Sequence, residues 1–454
     1  MSPRENVFDL SRNAHISASM HQDNPRTALR KGDVIVSTVG TIGNCAVVDE
    51  TILPANCDRH VGIIRIEESS IPCSPYLLST FMLSRYGKAQ TLRESTGNVQ
   101  LSLFIYKLKE LRVPNFSIEF QSGIERIVKS AHNKLYEATA VYKEAEQMLL
   151  SELGFTDWSP TDKSVSVKSY ADFVSAGRFD AEYFQPKYEE IGSKIRQYKG
   201  GTITADSVLV AGLVKEPAET QERYVELADI GAHGEIESCA TSTFGELPSR
   251  ARQRMEAGQV IASSIEGSLD RCALVTEEYD KALCSTGFHR FRSSAINPET
   301  MLLLFKSWPV QQLMKRGCSG TILCGILPGE LAHVPLPLIR AEVQRQIASL
   351  VQKSFALRTE SKRLLEKAKS LVEMAIEQGE EKAMKDFGLK TSDLGLTSDA
   401  GHRTADETSD IGLQTADGKS SEVLSPKSSL SPSSGVLSQK RRQSQNQSRK
   451  ERCK

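Results

Sequence analysis

Between Ser117 and Leu153, apolar residues recur in alternating steps of three and four: Phe120, Ile124, Ile127, Ala131, Ala138, Val141, Ala145 and Met148, with Lys134 in one slot. This spacing writes a heptad seam along one long helix. A shift of 223 residues, from Phe120 to Val343, brings the seam back at Val343, Ile347, Leu350, Leu357, Leu364, Ala368 and Leu371, with Ser354 and Ser361 in the remaining slots. Two such helices can bury their stripes against each other. An isolated pair would read as an ordinary helical hairpin inside one domain. What argues for more is the sequence in front of each helix.

In Lys31–Val48, β-branched runs flank Gly40-Thr41-Ile42-Gly43, a strand-turn-strand pattern in which glycine permits backbone angles that other residues resist. The second copy runs from Ala257 to Val275. Gly32 maps to Gly258, Val34 to Val260 and Ser37 to Ser263; after one inserted residue Gly40 maps to Gly267 and Cys45 to Cys272. Arg26 and Arg252 precede the two hairpins at the same spacing. Further on, Cys57 meets Cys284, Arg65 meets Arg292, Pro75 meets Pro298 and Gly97 meets Gly320; Val113-Pro114 answers Val334-Pro335 just before each helix. The unit is a mainly β domain followed by a long helix, repeated in tandem.

The copies differ at their starts. Gly177–Glu190 opens the second copy well ahead of Leu227, the residue that Met1 matches, so the first copy is expected to lack its opening segment, either through an upstream start codon or through an incomplete first domain. Beyond about Lys390 the chain turns to Ser, Thr, Gly, Asp and Gln, a composition that buries too little apolar surface to offset ordering entropy. The last fifteen residues hold seven basic ones, among them Lys440, Arg441 and Arg442, against Glu451 alone; weak phosphate attraction or simple solvation both fit. The expected organisation is therefore α+β: residues 1–116, a first β domain; 117–153, the first long helix; 154–176, a linker; 177–338, a second β domain; 339–385, the second long helix; and 386–454, a disordered tail.

Composition then excludes several functions. Lysine plus arginine and aspartate plus glutamate both number 57, which argues against non-specific coating of nucleic acid while leaving room for local basic loops. No run of about eighteen apolar residues and no signal-peptide core is present, so no membrane contact is expected and the cytoplasm is the expected location. The nine cysteines contain no CxxC pair and the eight histidines no HExxH spacing, which leaves no metal-site pattern. A phosphate-cradling Gly-Lys-Ser/Thr loop, a methyltransferase Pro-Pro-Tyr-type element and a GxSxG nucleophile turn are all missing. An enzyme acting alone, and a cofactor of its own, are not expected.

Four elements carry a family resemblance: Gly32–Gly43; Pro248–Arg252 leading into the Gly258–Ser264 strand; the Val-Pro dipeptides before both helices; and Arg178–Tyr188. Together, over about residues 20 to 385, they resemble the specificity subunit of type I restriction-modification systems. The resemblance implies two target-recognition domains, each reading half of a split site on double-stranded DNA. It also implies helices that pack antiparallel as a coiled coil and dock two modification (methyltransferase) subunits, with restriction (motor and nuclease) subunits joining the complex. The methyl donor and ATP then belong to partner chains.

Base edges are read by donors and acceptors on loops, and phosphates by Arg, Lys and small hydroxyls. Candidates in the first domain are Arg26, Lys31, Thr41, Asn44, Arg59, Asn98 and Gln100; in the second they are Arg252, Ser268, Arg271, His289, Arg290 and Thr321, with Thr321 matching Asn98 across the repeat. A scaffold that binds its methyltransferase partner without reading DNA, and a self-contained enzyme, are the competing readings. Site-specific duplex binding and turnover by the chain alone separate the three.

Overall fold

The computed structural model describes residues 2–9, 13–67, 72–97, 101–163, 165–320 and 324–386. The expected tail from 387 onward and the candidates Asn98, Gln100 and Thr321 lie outside the described residues. Helices and sheets are mixed, and two helices far exceed the others in length.

The first hairpin forms as its sequence dictates. Strands β1 (Val34–Ser37) and β2 (Cys45–Val47) pair antiparallel, Val34 against Val47, and β3 (Val61–Ile64) pairs on the other edge of β1. All four residues of β1 are buried. Alternation sends Val34 and Val36 into one apolar cluster with Phe81 and Phe120, and Ile35 into another with Leu29 and Val48. Helices α1 (Pro75–Leu83) and α2 (Arg85–Glu94) follow, the first opened by a proline whose missing N–H has no helical partner to lose. Then comes α3 (Ile118–Glu152), capped by the Ser117 side chain.

The same succession recurs. β4 (Val260–Ser263) pairs with β5 (Cys272–Leu274) and β6 (Phe288–Phe291), again as the middle strand, with Val260 and Ala262 on one face and Ile261 on the other. Helices α4 (Pro298–Lys306), α5 (Trp308–Gly317) and α6 (Ala341–Gln378) begin 223 residues after α1, α2 and α3. The short 3-10 turns before the long helices, Ile105–Glu110 and Pro328–His333, keep that offset. This corrects one alignment: with the offset unbroken, Pro114 answers Pro337, and the match of Val113-Pro114 to Val334-Pro335 is a coincidence of composition.

A buried glutamine does the same work in both copies. Gln121 accepts a hydrogen bond from the Ser74 amide and donates to the carbonyls of Pro72 and Phe116. Gln344, its equivalent, accepts from the Asn297 amide and donates to the carbonyls of Ala295 and Ile339. Each ties the start of a long helix to the cap of the helix pair before it, and each satisfies backbone groups that burial would otherwise leave unpaired.

Helices α3 and α6 lie side by side and run in opposite directions, since Arg340 pairs with Glu152 at one end and the Ser117 amide meets Glu380 at the other. At mid-length the two serines that interrupted the apolar seam face alanines. Ser354 donates to the Ala138 carbonyl and Ser361 to the Ala131 carbonyl, both at 2.8 Å. Small side chains let the backbones approach, and the hydroxyls use carbonyl lone pairs that the helix leaves open. Because Ala131 and Ala138 are themselves the equivalents of Ser354 and Ser361, the two bonds exchange under the 223-residue shift. An approximate twofold axis therefore crosses the pair between Lys134 and Leu135. The buried surface is wider than a heptad stripe: Val128, His132, Tyr142 and Leu149 on α3, and Val351 and Val372 on α6, are also buried. Met148, expected in the seam, is half-buried, and Leu149 takes the buried place.

The second copy carries additions. A four-stranded sheet orders Ala251–Arg254, Leu283–Ser285, Gln221–Val225 and Ala240–Thr243, with the middle two parallel. The helix Pro186–Arg196 buries Tyr188, Ile191 and Ile195 in the core that holds α4 and α5. Among the described residues no helix is long and apolar enough to cross a membrane.

Candidate nucleic-acid interface

Three loops converge at one end of β1: the turn after it, the segment leading into β3, and the segment after α2. One residue fastens them. Thr38 takes the His60 carbonyl with both its backbone N–H and its hydroxyl, each at 2.9 Å, and its own carbonyl accepts the Leu103 amide at 2.8 Å. At the equivalent end of β4, Ser264 repeats the arrangement: its N–H and hydroxyl donate to the Gly287 carbonyl at 2.8 and 3.0 Å, and its carbonyl accepts the Ile326 amide at 2.8 Å. Val39 bridges Ser102, and Ile265 bridges Gly325. The two loop clusters are thus built on one scheme. Their surfaces are free to vary because the fastening is carried by backbone and a single hydroxyl.

In the first cluster the tip is pinned by Gly43, which has φ +80° and whose missing Cβ would meet Thr91 Oγ1 at 2.7 Å. Thr41 is exposed on this tip and Asn44 is half-buried beside it. Arg59 is exposed on the second loop, between Asp58 and His60, whose side chains pair at 3.2 Å. The Asp58 carboxyl feels burial that raises its pKa, but hydrogen bonds from the His60 backbone and ring prevail and hold it below the usual range. Arg26 is exposed next to the same loop, since the Cys57 amide donates to the Thr27 carbonyl. Lys31 is not brought to this cluster. It precedes β1, at the far end of a strand about 13 Å long, and pairs with Glu50 at 2.5 Å.

In the second cluster Ser268 is half-buried on the turn and shares a hydrogen bond with Ser263 at 3.0 Å. Arg271 closes the turn with one guanidinium nitrogen on the Ile230 carbonyl. Arg252 lies on the neighbouring strand with its guanidinium 4.6 Å over the Phe244 ring. His289 sits within β6, its Nε2 bonded to the Ile326 carbonyl at 2.9 Å; burial lowers its pKa, with that carbonyl opposing.

Arg290 requires a correction. It is 5% exposed, and its guanidinium donates to Gln253 Oε1 at 2.9 Å, to the Gly212 carbonyl at 2.7 Å and to the Arg254 carbonyl. It ties the two sheets of the second copy together and has no face left for a ligand. The cause is topological: β6 is an inner strand, flanked by β4 and by Leu209–Val210, and a local reading could not know what lay beside it.

The residues that sequence reading missed are Thr38 and Ser264. Their signal was available, for they follow the matched Ser37 and Ser263 directly and both carry a hydroxyl. Among the described residues no group of three or more His, Cys, Asp or Glu side chains is placed to hold a metal ion. Burial pushes the Cys272 and Cys284 thiols up to about 12, which leaves them protonated and inert.

No family model matches the chain, and no curated protein matches it. Solved structures do. One, described as "Structural basis underlying complex assembly and conformational transition of the type I R-M system", is 22% identical over 45% of this chain and 51% of its own, with a TM-score of 0.31. The HsdS subunit from Thermoanaerobacter tengcongensis is 24% identical over 39% of this chain and 47% of its own, at 0.30. The type I restriction-modification system S subunit from M. genitalium is 14% identical over 77% of this chain and 82% of its own, at 0.34. The match spans about half the length of the first two. These solved structures come from type I restriction-modification systems, two of them S subunits.

Proposed function

We propose that this chain is the DNA sequence-recognition subunit of a type I restriction-modification complex. In this reading residues 1–116 and 177–338 are target-recognition domains, each addressing one half of a bipartite site on double-stranded DNA. The helices 117–153 and 339–385 form an antiparallel coiled coil that sets the distance between them and docks two modification subunits; restriction subunits complete the assembly. The chain works in the cytoplasm and is not itself catalytic. Methylation and ATP-driven chemistry reside in the partners.

The observation that carries the reading is the pair of loop clusters. Two unlike surfaces, fastened by the same hydrogen bonds through Thr38 and Ser264, stand at equivalent ends of two equivalent strands. A homodimer offers two identical surfaces and suits a palindrome; one chain with two different surfaces suits two different half-sites. A helix of 35 residues is about 52 Å long at 1.5 Å per residue, room for more than one turn of duplex between the heads. Arg26, Thr41, Asn44 and Arg59 on one side, and Arg252, Ser268 and Arg271 on the other, supply the donors and acceptors such reading requires.

The test is methylome sequencing of a host that carries the operon, with and without this chain. The expected result is a split methylated motif that disappears on deletion. An unchanged pattern overturns the proposal.

A further inference from the structure

Each 3-10 turn beyond the loop clusters opens on a large apolar residue left in solvent. Phe104 is 51% exposed and Leu327, its equivalent at the 223-residue offset, is 63% exposed. Among the described residues, no other equivalent pair leaves a large apolar side chain exposed in both copies. The residue before each is its opposite: Leu103 and Ile326 are buried, and their amides are held by the Thr38 and Ser264 carbonyls. With extended backbone at the junction, burying one side chain directs the next outward. The fastening of the loop clusters therefore also sets these two side chains beside the clusters, facing solvent.

Exposing such a side chain forgoes burial, so its presence twice, at equivalent positions of the two copies, points to a surface that covers it. Charge indicates which. Phe104 stacks on Tyr106, ring centroids 5.7 Å apart, and Lys107 Nζ stands 6.0 Å from the Tyr106 ring. Lys109 and Arg112 are exposed close by, with Arg93 on α2; the carboxylates of this stretch are Glu94 and Glu110, and Glu94 is already engaged by Arg93 and Lys107. The patch is apolar at its centre and cationic around it, the complement of a polyanion with apolar bases inside.

We propose that Phe104 and Leu327 press on the bases of the two half-sites, so that each head reads its sequence through one apolar contact in addition to its polar loops. The inference rests on the DNA-recognition reading above. Its consequence is asymmetric: the first head presents Phe104-Ile105-Tyr106 where the second presents Leu327-Pro328-Gly329, and the first buries more apolar surface against its half-site.

The experiment uses the full chain co-expressed with its modification subunit and selects duplexes from a random library. Phe104→Ala is expected to weaken binding roughly tenfold, the scale of one good base contact, and to flatten base preference in one half-site only; Leu327→Ala does so in the other. Neither changes the slope of log affinity against log salt, because an apolar contact releases no counterions. Both residues are exposed, so thermal unfolding stays unchanged and folding is not in question. A split motif selected unchanged, with affinity within twofold, by both variants overturns this inference and leaves the recognition reading standing. A reduced salt slope, or loss of the modification subunit with the motif intact, overturns it as well. If the unsubstituted chain selects no motif, both readings fall.

Discussion

The two copies agree where they meet the helices and in how their loop clusters are fastened, and differ in what surrounds those clusters. Both set a three-residue or longer strand between two partners, both follow it with a proline-opened helix pair, and both pin that pair to a long helix through one glutamine. Away from the helices the second copy adds a four-stranded sheet and an arginine strut, Arg290, whose equivalent in the first copy is Ile63 on an unstrutted strand. The shared parts are those that fix position; the unshared parts surround the loops. A scaffold that must hold two different surfaces in one geometry divides its residues in this way.

That division can be broken most sharply at Phe120 and Val343, equivalent seam positions of unequal size. Phe120→Ala should cost about 3–5 kcal/mol and Val343→Ala about 2 kcal/mol, since the larger side chain leaves the larger cavity. Urea unfolding measures both, and a cost at Val343 equal to that at Phe120 would show that the two helix starts are not packed alike.

The glutamines sharpen the same comparison. Gln121→Leu and Gln344→Leu each remove an acceptor from a buried amide and should cost about 1–3 kcal/mol, equal within about 0.5 kcal/mol. A marked inequality would mean that the matched hydrogen bonds differ in weight.

The smallest effect is in pH. Burial lowers the pKa of His132, which is nine-tenths covered, although its Nε2–H donates to the Asn6 carbonyl at 2.7 Å and Asp49 lies near. His289 is lowered in the same way in the second copy. The unfolded chain binds a proton near the ordinary value of 6.5 while the folded chain resists it, so stability is full above that pH and declines as the pH falls below it. His132→Gln and His289→Gln should each flatten the fall of melting temperature below pH 6.5. An unaltered pH profile in either variant would remove that histidine from the account.

Much of this was legible in advance because it was written in short-range chemistry. The β-branched runs around Gly40 and Gly43 and the seam from Phe120 each specify an element within a few dozen residues, and their recurrence at offsets of 223 to 227 revealed the repeat; the helix pairs opened by Pro75 and Pro298 were matched across the repeat without being read as helices. Arg290 was misread because its role depends on Gly212 and Arg254, 78 and 36 residues away, which no local pattern announces. The added sheet escaped for a similar reason: Leu283–Ser285 pairs parallel with Gln221–Val225, and a parallel partner leaves no turn between them to be recognised. Lys31 illustrates a third limit, since a basic residue near a glycine turn can still stand at the wrong end of the strand.

The serines at mid-length of the helix pair bear on association between molecules. If two chains traded helices like for like about the same axis, one crossing would set Ala131 against Ala138 with no hydroxyl to share, and the other would crowd Ser354 and Ser361 into room made for one. Only the pairing of α3 with α6 sets each hydroxyl against an alanine. Pairing of unlike helices is therefore favoured over pairing of like ones, and that choice of partner resides in four small side chains.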